Sequence, residues 1–255
     1  MNSAFVYFYD DFLGSPRYER DLSLIENELA VKGIAGTIVR LTVMRDDVGS
    51  IKDRISNGAK NLIFVGNDLT VEKMMRLVPD NPDVTLGFIP IDETSKIAKL
   101  LGMPSGQPGV DVIAARLVEI IDLGTVGNRH FLTECLVLNG QAELEIEGKY
   151  RLAPKNGGAI AVRNLGSLSQ NNRIAADPKD GFLEAIIQAP VGKRPGWWKK
   201  SELSETKIPF KFGRMIAKQQ IPFYIDGKEY LGTEFSLGIE PKRLKIITGR
   251  SRRLT

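Results

Sequence analysis

Apolar and polar residues follow one pattern through the first half of the chain. Short apolar runs of strand length alternate with stretches in which apolar residues recur every three or four positions, as in an amphipathic helix. The predicted strands lie at 4–9, 37–41, 62–65 and 84–89, and the predicted helices at 18–31, 48–59, 70–78, 93–101 and 109–120. Strands that alternate with helices are typical of a parallel, doubly wound sheet, so residues 1–126 are predicted to form an α/β domain.

The pattern changes near Gly127, where short segments of alternating apolar and polar residues begin. Turns rich in glycine, asparagine and aspartate separate these segments, as at Asn139-Gly140 and Asp226-Gly227. This arrangement is typical of antiparallel β structure. We therefore predict that residues 127–255 form a second, all-β domain, and we keep open that its last strand returns to the first domain.

The totals of the chain exclude several classes of protein. No apolar run approaches the ~18 residues that a membrane-spanning helix requires, and the N-terminus lacks the basic region that opens a secretory signal. Cys135 is the only cysteine, which excludes disulfides within the chain and suits the reducing cytoplasm, where we expect the protein. His130 is the only histidine, which excludes sites built on several histidines. Both are predicted to be core or half-buried positions on strands.

Charge is distributed unevenly between the two predicted domains. Residues 1–126 carry 13 Lys or Arg against 18 Asp or Glu, whereas residues 127–255 carry 22 against 13. A basic second half indicates an anionic partner, either a membrane surface or a nucleic acid. The alternative is a basic face that contacts only solvent.

Two loops follow the predicted strands at 62–65 and 84–89 and lead into helical patterns. The first loop is Gly66-Asn67-Asp68-Leu69-Thr70, and the second runs from Pro90 to Ala98. In an open α/β sheet, ligands bind outside the carboxyl ends of the strands. The two loops are therefore the predicted ligand site.

Six segments occur in the order in which one kinase family carries its motifs. They are Gly66-Asn67-Asp68-Leu69-Thr70; Pro90 with Asp92-Glu93-Thr94-Ser95-Lys96, Ala98 and Gly102-Met103-Pro104; Ile121-Asp122-Leu123-Gly124; Val162-Arg163-Asn164; Asp180-Gly181-Phe182-Leu183-Glu184; and Ile225-Asp226-Gly227-Lys228. Together they resemble the diacylglycerol kinase and sphingosine kinase family of lipid kinases, whose GGDGT loop corresponds to the first segment. The resemblance spans most of the chain. It implies a Rossmann-like (phosphofructokinase-like) α/β domain followed by a β-sandwich domain.

The same resemblance implies a kinase that uses ATP and Mg²⁺ to phosphorylate a lipid hydroxyl at a membrane surface. The residues that it assigns to nucleotide binding are Gly66, Asn67, Asp68, Thr70 and Thr94.

The remaining assignments that the resemblance implies concern metal binding and proton transfer. Asp180 would help to hold Mg²⁺. Asp68 would serve catalysis, and Asp226 or Glu229 would help to position or deprotonate the acceptor hydroxyl.

Several residues depart from the family pattern. Asn67 and Leu69 replace two glycines whose backbones approach the phosphates, and a leucine held there in the left-handed conformation would cost roughly 1–2 kcal/mol. Asp92 and Glu93 replace a Gly-Thr pair, and Lys228 replaces a glutamate. These departures favour an alternative, a pseudokinase that binds a lipid or a partner without transferring phosphate. An NAD kinase shares the first loop but does not account for the later segments.

Purely structural roles are also open for most of these residues. Asp68 or Thr70 could serve only to cap the following helix. Asp92 and Glu93 could lie in the first turn of the next helix and stabilise its dipole. Asp226 could simply form a hairpin turn with the glycine that follows it.

One further segment concerns partners. Trp197, Trp198, Lys199 and Lys200 lie together, and tryptophan beside lysine is typical of peripheral contact with an anionic membrane, here at the cytoplasmic face. The alternative places one tryptophan in the β-domain core. The basic C-terminal region, 242–253, could contact nucleic-acid phosphates, but nothing provides base recognition or stacking, so nucleic acid is not expected. A homodimer is kept open.

Overall fold

The protein divides into two compact units. The computed structural model describes residues 4–41, 47–78, 81, 83–154, 157–166, 176–190 and 203–254. The first unit extends to Ile121 and takes in Lys242–Leu254, and the second runs from Asp122 to Pro241.

A parallel sheet and its helices form the first unit. Its strands are β1 (Phe5–Tyr9), β2 (Thr37–Arg40), β3 (Asn61–Gly66) and β4 (Thr85–Pro90), and its helices are α1 (Glu19–Val31), α2 (Asp47–Ser56), α3 (Asp68–Arg76), α4 (Lys96–Leu101) and α5 (Gln107–Ala115). The strands pair in parallel in the order β2-β1-β3-β4. Every residue of β3 and β4 is buried, as expected for parallel strands that read as continuous apolar runs. The predicted alternation of strands and helices is confirmed.

Two predicted helices have different limits in the structure. The helix predicted at 93–101 begins at Lys96, because Ser95 caps it. The helix predicted at 109–120 ends at Ala115, because Arg116 adopts a left-handed conformation with φ of 51°. The next strand then begins at Val118.

Antiparallel strands form the second unit. They are β5 (Val118–Val126), β6 (Arg129–Phe131), β7 (Glu134–Val137), β8 (Ala142–Ile146), β9 (Tyr150–Leu152), β10 (Ala159–Arg163), β11 (Leu183–Pro190), β12 (Leu203–Phe210), β13 (Phe212–Ile225) and β14 (Lys228–Ile247). The pairing order is β12-β11-β10-β7-β13-β14, with β8 beside β13. Phe131, Phe210 and Met215 are fully buried in its apolar core. Within the described residues, the predicted change from α/β to antiparallel β structure is confirmed.

Two strands continue from one unit into the other. β5 begins in the first unit and ends in the second, and β14 does the reverse. At the end of β14, Lys245 and Ile246 pair in parallel with Thr85 and Leu86 of β4. Among the described helices, none is both long and apolar enough to cross a membrane.

Candidate functional site

The loop between β3 and α3 is closed by its own side chains. Asn67 is the N-cap of α3, and its side-chain oxygen accepts hydrogen bonds from the backbone N–H groups of Leu69 at 3.0 Å and Thr70 at 3.3 Å. In return, the Asn67 N–H donates to the Thr70 hydroxyl at 2.9 Å. This reciprocal capping box satisfies N–H groups that a phosphate-binding loop would leave open.

The glycine before this cap is required by packing. A Cβ at Gly66 would overlap the Thr70 side chain. Leu69 lies in the first turn of α3 and is not left-handed, so the expected backbone strain at Leu69 is wrong. The physical reason is that Asn67 starts the helix directly after the strand, which leaves no left-handed position for Leu69 to occupy.

Behind the loop lies a polar contact that the sequence did not predict. Asp10 directly follows β1 and is only 3% exposed. Its carboxylate accepts hydrogen bonds from the Thr70 hydroxyl at 2.7 Å and from Lys73 Nζ at 2.6 Å. Thr70 therefore holds α3 against the end of β1, where a buried carboxylate is stabilised by a cation and a hydroxyl. The signal that could have found Asp10 is its place at the end of the first apolar run.

Asp68 links the two predicted ligand loops. Its Oδ1 accepts a hydrogen bond from the Ser95 hydroxyl, and its Oδ2 accepts one from the Lys96 N–H at 3.0 Å. Ser95 is the N-cap of α4 and accepts a hydrogen bond from the Ala98 N–H at 3.0 Å. The Asp68 carboxylate thus lies at the N-terminus of α4, where the helix dipole and the open N–H groups favour an anion.

The second loop folds onto itself before α4 begins. Asp92 Oδ1 accepts hydrogen bonds from the N–H and the hydroxyl of Thr94, both at 2.8 Å. These two bonds lower the pKa of the exposed Asp92 carboxyl. Thr94, a predicted nucleotide ligand, is therefore engaged in a local turn, and Asp92 and Glu93 precede the cap at Ser95. Their expected place in the first turn of the helix is wrong.

In the second unit, Asp226 is a structural anchor for the strand that begins at Glu134. It is 1% exposed and left-handed, with φ of 46°. Its carboxylate accepts hydrogen bonds from the N–H groups of Leu132, Thr133 and Glu134 at 2.8, 2.7 and 3.2 Å, and from the Thr133 hydroxyl at 2.5 Å. Burial raises the pKa of this carboxyl, while the four hydrogen bonds act in the opposite direction. The left-handed backbone of Asp226 agrees with the alternative that it forms a hairpin turn with Gly227.

The other predicted catalytic carboxylate is at the surface. Glu229 is exposed and accepts a hydrogen bond from the Tyr224 hydroxyl at 3.0 Å. That bond raises the pKa of Tyr224. Its neighbour Lys228 places its ammonium 5.5 Å from the centre of the Tyr230 ring. Of the two predicted catalytic carboxylates near this turn, Asp226 is therefore buried and Glu229 is exposed.

Three of the family-like segments meet in the second unit. Asn164 Nδ2 donates to the backbone oxygen of Asp122 at 2.9 Å, and Asp122 Oδ2 accepts from the Gly181 N–H at 2.8 Å. Asn164 is fully buried, and its Oδ1 has no hydrogen-bond partner within the described residues. Asp180, the predicted metal ligand, is exposed and accepts from the Phe182 N–H at 2.9 Å, as in a turn.

Other predicted residues can be placed more briefly. In the part of the chain that the structure describes, His, Cys, Asp and Glu side chains form no group of three or more that could hold a metal ion. His130 is half-buried and lies 3.0 Å from Glu240, and Cys135 is buried on β7, as predicted. The predicted membrane contact, Trp197, Trp198, Lys199 and Lys200, lies outside the described residues.

Known structures of the same architecture are found among kinases. The structure resembles that of a diacylglycerol kinase from Bacillus anthracis str. Sterne, with a TM-score of 0.74 and 14% identity over 98% of both chains. It also resembles an NAD kinase from Archaeoglobus fulgidus in complex with ATP, with a TM-score of 0.61 and 16% identity over 98% of this chain and 95% of that one. For yeast NADH kinase complexed with NADH, the TM-score is 0.62 and the identity 12%, over 98% of this chain and 84% of that one.

At the level of sequence, no protein-family model and no curated protein matches the chain. The structural similarity extends over nearly the whole of both chains, so it covers the α/β part and the all-β part together. The resemblance predicted from the ordered motifs is confirmed as a similarity of fold. The chain therefore has the two-domain fold, α/β followed by a β-sandwich, that these diacylglycerol kinases and NAD kinases share.

Proposed function

We propose that this protein is a kinase that uses ATP and Mg²⁺ to phosphorylate a lipid hydroxyl. The observation that carries the proposal is the contact between Asp68 and the N-terminus of α4. There, the Ser95 hydroxyl and the Lys96 N–H hold an anion at the carboxyl edge of a parallel sheet, and such donors suit a phosphate oxygen as well as a carboxylate. The complex of the Archaeoglobus fulgidus NAD kinase with ATP supports a nucleotide as the ligand of this fold.

The residues have separate roles in this proposal. Ser95 and Lys96 donate to a phosphate once Asp68 releases them, and Asn67 releases the N–H groups of Leu69 and Thr70 in the same way. The freed Asp68 carboxylate would then be available as a ligand for Mg²⁺. A single carboxylate fits this ion, because Mg²⁺ is usually held by one or two carboxylates and by the phosphates of the nucleotide. When bound, Mg²⁺ would neutralise charge on the phosphoryl group that is transferred.

The remaining carboxylates contribute less to this proposal. Asp180 is exposed and available to a metal network, and Glu229 is the accessible candidate for the acceptor hydroxyl. Asp226 accepts four hydrogen bonds within the protein, so its role is to hold the start of β7 in place.

The proposed substrate places the protein at a membrane surface. A lipid acceptor is proposed from the diacylglycerol kinases among the similar structures. The excess of cations in residues 127–255 supports attraction to anionic lipid, since each cation near such a surface adds about 1 kcal/mol. The proposal includes association with the cytoplasmic face of the membrane and assembly as a homodimer.

A pseudokinase is the second candidate, and the capping box favours it. Asn67 already satisfies two N–H groups at the start of α3, and Asp68 already satisfies a third at the start of α4. A nucleotide must therefore displace two of the protein's own side chains before it can be bound. In a pseudokinase these contacts are permanent, and the protein acts by binding lipid or a partner.

The experiment is transfer of radioactive phosphate from ATP to diacylglycerol in phosphatidylcholine vesicles with Mg²⁺. We expect transfer by the unchanged protein and loss of about a hundredfold or more in Asp68→Asn, because an amide cannot hold Mg²⁺ as a carboxylate does. The matched control is Asp92→Asn, which keeps the turn to Thr94 and should retain activity. Circular dichroism establishes that each variant is folded.

Either candidate can fail in this experiment. Lack of transfer by the unchanged protein, together with lack of thermal stabilisation by ATP and Mg²⁺, contradicts the kinase and supports the pseudokinase. Equal transfer by the unchanged protein and Asp68→Asn would contradict the role of Asp68 as a ligand for Mg²⁺. Binding of the protein to the vesicles is measured in parallel by sedimentation.

A further inference from the structure

A cavity of about 850 Å³ lies in the first unit, apart from the loops that Asp68 links. Its walls come from the C-terminal ends of α4 and α5 and from the turn at 248–253 that follows β14. No residue of the loop between β3 and α3 belongs to these walls, which are made of described residues. The cavity is therefore separate from the proposed nucleotide site.

Four cations line this cavity: Lys99, Arg116, Arg250 and Arg253. All four are exposed, and within the described residues none of them forms an ion pair. The one carboxylate in the lining, Asp111, is paired with a lysine outside it at 2.7 Å. The lining therefore carries a net charge of +3, which favours an anion.

The turn that carries two of these cations is fixed on the end of α4. The Gly249 N–H donates to the Leu101 oxygen at 2.9 Å, and the Arg253 N–H donates to the Leu100 oxygen at 2.8 Å. A Cβ at Gly249 would overlap the backbone of Gly102, so the two chain segments are in direct contact. These bonds satisfy carbonyl groups at the end of α4 that would otherwise oppose an anion.

The third arginine of the same turn has a different role. Arg252 pairs with Glu119 at 2.5 Å, and it does not line the cavity. The turn thus uses one guanidinium to hold itself in place and leaves those of Arg250 and Arg253 for the cavity. Arg252 therefore stabilises the turn, whereas Arg250 and Arg253 line the cavity.

Arg116 is held in an unfavourable backbone conformation at the cavity wall. Its φ of 51° is left-handed, which a residue with a side chain adopts at a cost. Its Nε donates to Asn61 Oδ1 at 3.0 Å, which fixes the direction of the guanidinium. A guanidinium that is fixed in this way loses little further freedom when it binds an anion in a forked geometry.

Beside its charged residues, the lining includes the apolar Met103, Pro104, Val112 and Leu117 and two hydroxyl-bearing residues, Thr248 and Ser251. We propose that the cavity binds a phosphate monoester that carries an apolar group. A phosphate monoester has a charge of about −2 and three acceptor oxygens, which matches a net charge of +3 that includes three arginines. The apolar wall accommodates the organic part. The ligand is either the headgroup of a lipid such as phosphatidate or a soluble organic phosphate.

The test uses the full chain and two probes. Phosphatidylcholine vesicles that contain phosphatidate report a lipid source, and phenyl phosphate, followed by calorimetry, reports a soluble one. The variant is Arg250→Gln with Arg253→Gln, and the control of equal net charge is Arg20→Gln with Lys60→Gln, two exposed positions outside the cavity. We expect binding of at least one probe to weaken about tenfold or more in the cavity variant and to change little in the control, because each charge-assisted hydrogen bond contributes substantially.

The outcomes distinguish a lipid headgroup from a soluble organic phosphate, and they also show whether the cavity binds neither. Loss of vesicle binding alone assigns a lipid headgroup, and loss of phenyl phosphate binding assigns a soluble ligand. Equal weakening in the cavity variant and the control would show that only overall charge matters and would overturn the proposal. Equal binding to phosphatidylglycerol vesicles, which carry a phosphate diester, overturns it too, as does lack of binding to either probe. Phosphate transfer is a separate assay, so failure of one proposal leaves the other distinguishable.

Discussion

The Ser95 hydroxyl donates a hydrogen bond to Asp68 while it accepts one from the Ala98 N–H at 3.0 Å. One serine therefore starts α4 and ties it to the loop that follows the neighbouring strand. The Lys96 N–H completes the link from the other side of the carboxylate at 3.0 Å. Because β3 and β4 are adjacent, this pair joins two loops at the carboxyl edge of the sheet.

Replacement of Ser95 should destabilise the first unit. Ser95→Ala removes an N-cap and leaves Asp68 with one donor fewer, so the free energy of unfolding should fall by about 1–3 kcal/mol. Urea denaturation followed by circular dichroism measures this. In Thr94→Ala, which loses only exposed contacts to Asp92, the change should stay within about 0.5 kcal/mol. Losses of equal size in the two variants would contradict the assigned role of Ser95.

The capping box should limit binding of nucleotide. Asn67→Gly frees the N–H groups of Leu69 and Thr70 and should raise affinity for ATP with Mg²⁺, because each freed donor can meet a phosphate oxygen. A glycine N-cap costs only a few tenths of a kcal/mol in stability. The measurement is the shift of the thermal midpoint with ATP concentration.

The matched control at the same position is Asn67→Asp. Aspartate keeps the cap and adds a negative charge beside the phosphates, so affinity for ATP should not increase. Affinity that increases equally in both variants, or in neither, would show that the cap does not control access of the nucleotide.

Asp226 and Glu229 should differ in what their replacement affects. Asp226→Ala leaves three buried N–H groups and a hydroxyl without an acceptor, so unfolding free energy should fall by about 3 kcal/mol or more. Glu229→Gln removes an exposed charge and should leave stability within about 0.5 kcal/mol. Urea denaturation compares the two. A folded, fully stable Asp226→Ala that had lost only phosphate transfer would instead assign Asp226 to catalysis.

Alkaline pH should destabilise the first unit through Tyr7. This side chain is fully buried and donates to the Ile34 oxygen at 2.6 Å, and burial raises its pKa above the ordinary 10.0. Above that pH the unfolded chain loses the proton while the folded chain keeps it, so stability falls as pH rises. Tyr7→Phe should reduce this fall by up to about 1.4 kcal/mol per pH unit.

The control for this titration is Tyr150→Phe, since Tyr150 is 63% exposed. Its removal should leave the dependence on pH unchanged. Unfolding free energies from urea denaturation at a series of pH values above 10.0 give the comparison. If the unfolding free energy of the unchanged protein and that of Tyr7→Phe fell equally with pH, Tyr7 would not remain protonated in the folded protein.

The elements of the first unit could be predicted because their signals are local. The apolar runs that became β3 and β4 are short and continuous, and a loop follows each. The contact between Asp68 and Ser95 was not predicted, because it depends on the register that pairs Gly66 with Pro90. Register is a property of two strands together, and the period of one strand does not contain it.

Other contacts of the site also depend on how distant segments pack, so the sequence pattern did not predict them. Asp10 and Lys73 are 63 positions apart, and only the packing of α3 against β1 brings them together. The turn at Asp226 was visible in the sequence, but its burial depends on the strand that starts at Glu134. The expected strain at Leu69 failed for a local reason, since an asparagine that caps directly after β3 makes Leu69 helical.

The long strand β14 also has a consequence for the order in which the protein is made. Its residues Lys245 and Ile246 are the parallel neighbours of β4, yet the ribosome adds them only after residues 122–241. During that interval the edge of β4 has no partner strand, and unpaired edges are sites of aggregation in nascent chains. The unit whose synthesis begins first therefore completes its sheet last, and its yield in the cell depends on how well that edge is shielded during translation.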